Sequence, residues 1–295
     1  MRLRSLYLFT MALLAMASVV SADDVADGDS ASIGDKVPIA LYQPVSLQST
    51  RAIPPVGVLL LIPGYNGSGE AMLDDRWRQF ADQNSLILVA PTFKNTNPEE
   101  LHQNRGYYYP EQGSGEQVEK ALEKVHLRTG VQVDHLLIFG FSAGAHFAHR
   151  FALWKPEQVA AFVAYSAGWW SDPMPSLRTV PALIMCGETD PRYEATLNFM
   201  EKGLALHLPW IWRSYKNTDH QLTSPVRSMA ESFLAYEAAQ LKSGNALSKA
   251  TPDRIIYGDI QTYQVVTASE KESIPEEVRI QLPSQQIASI WQKEN

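Results

Sequence analysis

The stretch of sequence that decides the fold is Leu136-Leu137-Ile138-Phe139-Gly140-Phe141-Ser142-Ala143-Gly144-Ala145-His146. It reads as a buried strand, a Gly-x-Ser-x-Gly turn and the start of a helix. A serine at such a sharp turn stands clear of both elements, and the two glycines remove side chains that would collide where the turn is tightest. The pattern predicts that Ser142 is a nucleophile. The alternative is an ordinary glycine-rich turn, so other parts of the chain have to decide between the two.

Short apolar runs alternate with helical patterns on both sides of this stretch. The apolar runs cover residues 56–62, 85–90, 135–139, 160–165, 180–186 and 210–215, and the helical patterns cover 70–83, 143–154, 193–206 and 224–241. Ser114 and Gln117 have the spacing of a capping box and predict one more helix start. The alternation indicates an α/β fold, a mostly parallel doubly wound sheet with helices on both faces. Binding sites in such a sheet form at the carboxyl ends of the strands.

The N-terminal residues predict export. Arg2 and Arg4 precede an apolar stretch at 6–20, and small residues surround Ala22. This is the pattern of a signal peptide cleaved after residue 22, which implies a secreted or periplasmic protein. An uncleaved N-terminal anchor is the alternative. No later segment of the sequence is long and apolar enough to cross a membrane.

Composition limits the class of protein and of partner. The chain has 295 residues, of which 45% are hydrophobic and 19% are charged, and this suits either one large α/β domain or one domain plus a small appendage. Signal cleavage takes the net charge from −7 to −9 because Arg2 and Arg4 are lost. An acidic surface argues against nucleic acid as a partner. The single cysteine, Cys186, lies in an apolar run and is expected to be a small buried residue.

The domain organisation follows from these patterns. We expect a flexible leader at residues 23–36, the α/β domain at 37–242 and a C-terminal extension at 243–295. Short apolar runs at 255–266 and 278–282 predict that the extension is a β-hairpin packed on the core. Its role is not readable from the sequence.

Two loops after late strands carry groups that can activate a serine. They read Gly187-Glu188-Thr189-Asp190-Pro191 and Lys216-Asn217-Thr218-Asp219-His220. A serine nucleophile needs a base to take its proton and a carboxylate to orient that base. His220 follows a strand and precedes a helix, so it is the expected base. Asp190 and Glu188 are rival candidates for the acid.

The other histidines are assigned elsewhere. His146 and His149 lie on the helix after Ser142, where we expect them to pack or to lie at the surface. His207 precedes a strand and is expected at its amino end, away from the site. His102 lies in a long polar loop and is a candidate for lining a pocket.

The chain resembles the α/β-hydrolase superfamily over about residues 37–242. The matching motifs are Gly140-Phe-Ser142-Ala-Gly144, Cys186-Gly-Glu-Thr-Asp190 and Asp219-His220, in the order serine, acid, histidine. Within the superfamily the chain is similar to secreted esterases related to polyhydroxybutyrate depolymerases and feruloyl esterases, and more distantly to dienelactone hydrolases. The resemblance implies a triad of Ser142, Asp190 and His220. Glu188 stays open as a substitute for Asp190.

Two backbone amides are expected to stabilise a developing negative oxygen. One is the N–H of Ala143, which follows the nucleophile. The other is the N–H of Tyr65, where Pro63-Gly64-Tyr65 stands in the place of the His-Gly-x of many relatives. The departure at Pro63 removes a side chain that often braces this loop.

Aromatic residues are candidates for binding substrate. Trp169 and Trp170 follow a strand and are expected to overlook the site, and Tyr108 is expected at a rim loop. Such residues suit an apolar or aromatic acyl group, but the same residues can equally cap the core.

The sequence thus predicts an exported serine hydrolase that cleaves carboxylic esters through an acyl-enzyme. No metal and no cofactor are expected, and the partner is a small-molecule or polymer ester. The alternatives are a peptidase or acyltransferase on the same scaffold, and a catalytically inactive binding protein. The identity of the ester and the oligomeric state stay open.

Overall fold

In the computed structural model of the chain, the described residues are 18–20, 37–44, 55–94, 97, 99, 103, 106–243 and 256–293. The leader at 23–36, His102 and all of the expected signal peptide except 18–20 lie outside the described residues, so these expectations stay predictions. Among the described helices, none combines the length and the apolar composition that a membrane span requires.

An eight-stranded sheet forms the centre of the molecule. Its strands are β1 (Ser18–Val20), β2 (Ile39–Tyr42), β3 (Gly57–Ile62), β4 (Leu86–Pro91), β5 (Leu136–Phe141), β6 (Val159–Tyr165), β7 (Ala182–Gly187) and β8 (Trp210–Tyr215). They lie in the order β1-β2-β4-β3-β5-β6-β7-β8. The pairs that involve β1 and β2 are antiparallel and the others are parallel. The expected α/β class is confirmed.

Helices follow most of the strands. They are α1 (Gly69–Met72), α2 (Asp75–Asn84), α3 (Ser114–Thr129), α4 (Ala143–Trp154), α5 (Tyr193–Ala205) and α6 (Ser224–Lys242). The expected start of α3 is wrong by one residue. Gly113, at a φ of 113°, is the N-cap, and the Ser114 hydroxyl donates to the carbonyl of Tyr107 at 3.1 Å instead of capping the helix.

Helices cover both faces of the sheet. Phe162 and Trp210 lie in register on one face, where Trp210 packs against Phe199 of α5 at a ring distance of 4.8 Å. Phe139 of β5 faces the other way and packs against Trp77 of α2 at 5.0 Å. Because both faces are buried, β3 and β4 can be apolar at nearly every position, and all their residues are buried.

The C-terminal extension is more than the expected hairpin. It forms a three-stranded antiparallel sheet from β9 (Ile256–Asp259), β10 (Val265–Thr267) and β11 (Arg279–Leu282), in the order β10-β9-β11. A helix, α7 (Gln285–Trp291), follows β11. The buried ring of Trp291 donates through Nε1 to the carbonyl of Trp212, which fastens the extension to β8.

Cys186 is buried in β7, as expected for a small core residue. Burial raises the pKa of its thiol to about 11. A thiol that stays protonated at neutral pH is a poor nucleophile. Cys186 is therefore a packing residue.

Candidate active site

Ser142 lies at the turn between β5 and α4. Its φ of 57° and ψ of −116° are strained for a residue with a side chain. The glycines around it have almost no room. A Cβ added to Gly140 would lie 2.2 Å from the carbonyl oxygen of Gly144, and one added to Gly144 would lie 2.2 Å from that of Ile62. The backbone of this turn is therefore held in place by contacts that only glycine permits.

Three of the expected site residues form one hydrogen-bonded chain. Ser142 Oγ lies 2.7 Å from His220 Nε2, and His220 Nδ1 lies 2.7 Å from Asp190 Oδ2. Because an ionised carboxylate only accepts hydrogen bonds, the proton on Nδ1 points to Asp190 and leaves Nε2 to accept from the serine hydroxyl. The imidazole thus has the tautomer and the position that proton removal from Ser142 requires.

Asp190 is held on both of its oxygens. Oδ2 faces His220, while Oδ1 accepts from the backbone N–H of Arg192 at 3.0 Å and from its guanidinium at 3.1 Å. Burial alone would raise the pKa of Asp190, but the hydrogen bonds from His220 and Arg192 outweigh that effect and leave the pKa below its usual value. Asp190 is therefore ionised at neutral pH and can stabilise a protonated imidazole.

Glu188, the rival acid, points away from His220. It is exposed, and its Oε1 accepts from the Ser214 hydroxyl at 2.7 Å. The carboxylate that contacts His220 is that of Asp190.

The two expected amide donors lie close to Ser142. Ala143 is the first residue of α4, so its N–H has no acceptor within the helix. Tyr65 lies in a tight turn in which the Gly67 N–H donates to the Gly64 carbonyl at 2.9 Å. A Cβ on Gly64 would lie 3.6 Å from Ser142 Cβ, which shows how closely this turn approaches the serine.

Comparison with solved structures identifies the fold. An S-formylglutathione hydrolase from Agrobacterium tumefaciens matches with a TM-score of 0.55 and 18% identity over 70% of this chain and 90% of that one. FphF, a fluorophosphonate-binding serine hydrolase of Staphylococcus aureus, matches at 0.54 and 17% over 75% and 98%. LpqC, a poly(3-hydroxybutyrate) depolymerase from Bordetella parapertussis, matches at 0.51 and 19% over 70% and 88%. The chain has the α/β-hydrolase fold.

A scan of the sequence against protein-family models and a search of curated proteins both find no match. At the identities seen here, the structural likeness therefore establishes the α/β-hydrolase fold, and the chemistry has to be argued from the residues of the site.

Aromatic rings cluster around His146, on the helix that follows Ser142. His146 lies one helical turn after Ser142, and the ring of Tyr108 stacks on it at 4.8 Å and 5°. The ring centre of Trp169 lies 4.1 Å from that of the same imidazole, and Trp169 is 39% exposed. The Gly168 N–H donates to His146 Nε2 at 3.0 Å, which fixes the loop that carries Trp169. Tyr108 and Trp169 are thus brought together near the serine, as part of one cluster.

Trp170 points elsewhere. Its ring stacks on Phe199 of α5 at 4.2 Å and lies 4.7 Å from His149, so the side chain packs between α4 and α5. Of the three aromatic residues expected to bind substrate, Tyr108 is buried and Trp170 packs against the core, and Trp169 is the one with an exposed ring. Trp169 and Trp170 are adjacent in the loop after β6 but pack on different neighbours, and the sequence does not indicate which of the two faces the site.

His146 and His149 pack as expected. Both are buried, and burial together with the positive charge of Arg150 holds the pKa of each well below the usual value. His149 Nδ1 contacts the Ala145 carbonyl at 2.8 Å, and its Nε2 accepts from Ser171 N–H at 3.1 Å. These neutral imidazoles connect α4 to the loop after β6. His207 is exposed in the turn before β8, at the amino end of that strand.

Sequence reasoning missed Arg192. Arginine two residues after a candidate acid is not a recognised pattern, and only the folded turn shows that its guanidinium reaches back to Asp190. The Arg192 N–H also donates to the same Asp190 oxygen and forms an Asx-type turn. The sequence Asp-Pro-Arg is only a weak indication of such a turn.

Proposed function

We propose that the chain is a serine esterase that hydrolyses carboxylic esters through a Ser142–His220–Asp190 triad. The observation that carries the proposal is the continuous hydrogen-bonded chain from Ser142 Oγ through His220 to Asp190, with both links at 2.7 Å. Its placement on a strained strand-to-helix turn supports the same conclusion, because strain of this kind concentrates at functional sites.

The mechanism follows from where the protons lie. Ser142 Oγ attacks the ester carbonyl while its proton passes to His220 Nε2, and Asp190 stabilises the imidazolium that forms. The amides of Ala143 and Tyr65 donate to the oxyanion. Collapse of the tetrahedral intermediate breaks the ester C–O bond, and His220 returns the proton to the leaving alcohol. Water then attacks the acyl-enzyme with His220 again as base, which releases the acid and restores the serine hydroxyl.

The surroundings of Ser142 favour an apolar or aromatic acyl group. Tyr65 is 51% exposed and Trp169 is 39% exposed, and such surfaces bind apolar groups at the mouth of a site. The solved structures that share the fold are named as an S-formylglutathione hydrolase, a poly(3-hydroxybutyrate) depolymerase and a ferulic acid esterase. We propose a small-molecule or polymer ester as substrate, and an exported, signal-cleaved enzyme that begins at Asp23. Cleavage would remove β1, so the central sheet of the mature enzyme would consist of β2 to β8.

Kinetics on matched substrates test the proposal. The mature chain is assayed with p-nitrophenyl acetate and butyrate, with the corresponding p-nitroanilides and with an added acceptor alcohol, beside Ser142→Ala as the control. We expect ester hydrolysis by the wild type and none above background by Ser142→Ala. Faster cleavage of anilides would favour a peptidase, and a dominant transfer product would favour an acyltransferase. Turnover of no ester by the folded wild type would contradict the proposal.

A further inference from the structure

The C-terminal extension, residues 256–293, contacts the outer edge of β8. This strand is last in the order of the central sheet, so one of its edges has no strand partner in that sheet. Side chains of the extension bond to that edge instead. Trp291 Nε1 donates to the Trp212 carbonyl, and the Ser214 N–H donates to the Tyr263 hydroxyl oxygen at 2.8 Å. Residues 212 and 214 face the same edge because a strand alternates with a period of two.

The contact at Ser214 continues into the loop that carries Asp190. Ser214 Oγ lies 2.7 Å from Glu188 Oε1 and 2.8 Å from the Tyr263 hydroxyl. Because the carboxylate only accepts, the Ser214 hydroxyl donates to Glu188, and the Tyr263 hydroxyl then donates to Ser214 Oγ. Every proton of this small network is used, so the Tyr263 hydroxyl both receives from and donates to Ser214.

Backbone hydrogen bonds join the acid loop, residues 187–190, to the end of β8 and to the loop that follows it. The Glu188 N–H donates to the Tyr215 carbonyl at 2.9 Å, and the Thr189 N–H donates to the Thr218 carbonyl at 3.0 Å. A Cβ on Gly187 would lie 2.2 Å from that same Thr218 oxygen. Movement of Glu188 would therefore be transmitted to Asp190 and to the loop of His220.

Tyr263 is held in an unusual backbone conformation. Its φ of 58° is uncommon for an aromatic residue. Its N–H donates to the Asp259 carbonyl at 2.8 Å, and Asp259 Oδ1 accepts from the backbone N–H groups of Gln261 and Thr262. The Arg213 guanidinium lies 4.2 Å from the centre of its ring. The turn thus fixes the direction of the Tyr263 hydroxyl.

From these contacts we propose that Tyr263 is a positioning residue of the active site, which acts through Ser214 and Glu188 to hold the acid loop where Asp190 meets His220. The extension at 256–293 then serves as a brace for the catalytic acid. The inference rests on the proposed esterase function.

The test compares two substitutions that each remove one hydroxyl from the extension. Tyr263→Phe keeps the ring that contacts Arg213 and loses the bonds to Ser214. Tyr257→Phe is the matched control, since Tyr257 lies on β9 with its ring 5.9 Å from the Arg279 guanidinium. We expect Tyr263→Phe to lower kcat for p-nitrophenyl butyrate about tenfold with KM unchanged within about twofold, because small misplacements of catalytic groups act on the chemical step. Tyr257→Phe should match the wild type.

A double-substitution cycle tests the route. In a Ser214→Ala background the link to Glu188 is already broken, so adding Tyr263→Phe should cost less than twofold in kcat. Thermal unfolding midpoints of all variants separate positioning from loss of fold.

The outcomes distinguish the two proposals. An active wild type with an equally active Tyr263→Phe variant overturns the brace alone. A loss of kcat that Tyr257→Phe shares, or that follows a lowered unfolding midpoint, also overturns it. A folded wild type without esterase activity overturns the proposed function and the brace with it.

Discussion

The buried carboxyl of Glu237 makes stability depend on pH in a way that one substitution should remove. Glu237 lies on α6, is 8% exposed, and has no hydrogen-bond partner within the part of the chain that the structure describes. It lines a cleft near Trp210, at the amino ends of β7 and β8 and so at the opposite end of the sheet from Ser142. Burial raises its pKa from 4.5 to about 8.

The size of the effect follows from that shift. Between the two pKa values the folded chain binds a proton that the unfolded chain has released, so stability falls as the pH rises through this window and levels off above the folded pKa. One pKa unit corresponds to about 1.4 kcal/mol. The interval from pH 5 to pH 8 therefore costs about 3.5 kcal/mol of unfolding free energy, because the carboxyl is already half ionised in the folded chain at pH 8. Glu237→Gln imitates the neutral carboxyl and should abolish this part of the pH dependence.

Urea unfolding at pH 5 and pH 8 measures this loss of unfolding free energy. We expect Glu237→Gln and the wild type to agree within about 1 kcal/mol at pH 5, and the variant to be more stable by about 4 kcal/mol at pH 8. Glu201→Gln, an exposed glutamate that lines the same cleft, is the control and should follow the wild type. Equal pH dependence in the wild type and Glu237→Gln would refute the reasoning.

Two further predictions concern the site. Asp190→Asn should lower kcat by roughly 10³- to 10⁴-fold because the amide favours the wrong imidazole tautomer. Glu188→Gln should retain most activity, because its amide oxygen can still accept from the Ser214 hydroxyl; the reverse ranking in a p-nitrophenyl ester assay would make Glu188 the acid. Gly144→Ala places a Cβ 2.2 Å from the Ile62 carbonyl oxygen and should destabilise the fold by about 3 kcal/mol. Gly64→Ala, with its closest contact at 3.5 Å, should change the urea midpoint little, and equal midpoints for the two variants would contradict the steric argument.

The strands and the serine turn could be predicted because their signals are local. Continuous apolar runs such as that of β3 require burial on both faces, and this alone indicates a parallel sheet covered by helices. Ser142, Asp190 and His220 each follow a parallel strand, so all three lie at the carboxyl ends of the strands. Short loops are then enough to bring the three side chains together, and the structure shows the hydrogen bonds between them.

What the sequence left out depends on contacts between distant residues. The hydrogen bond between Tyr263 and Ser214 joins residues 49 positions apart, and no periodic pattern in the sequence indicates it. The start of α3 was misplaced because Gly113 takes up the cap in a left-handed conformation while Ser114 finds another acceptor. The direction of Trp170 is set by its stacking on Phe199, a contact with a helix that comes almost 30 residues later. Tertiary packing decides each of these cases.

The central claim is that Ser142 is the nucleophile, and covalent labelling tests it most directly. The folded mature protein is treated with a fluorophosphonate, digested and analysed by mass spectrometry, beside Ser142→Ala and His220→Ala. We expect one phosphonyl group, located on Ser142, with no labelling of Ser142→Ala and much slower labelling of His220→Ala. A label on another residue, or no label on the folded wild type, would contradict it.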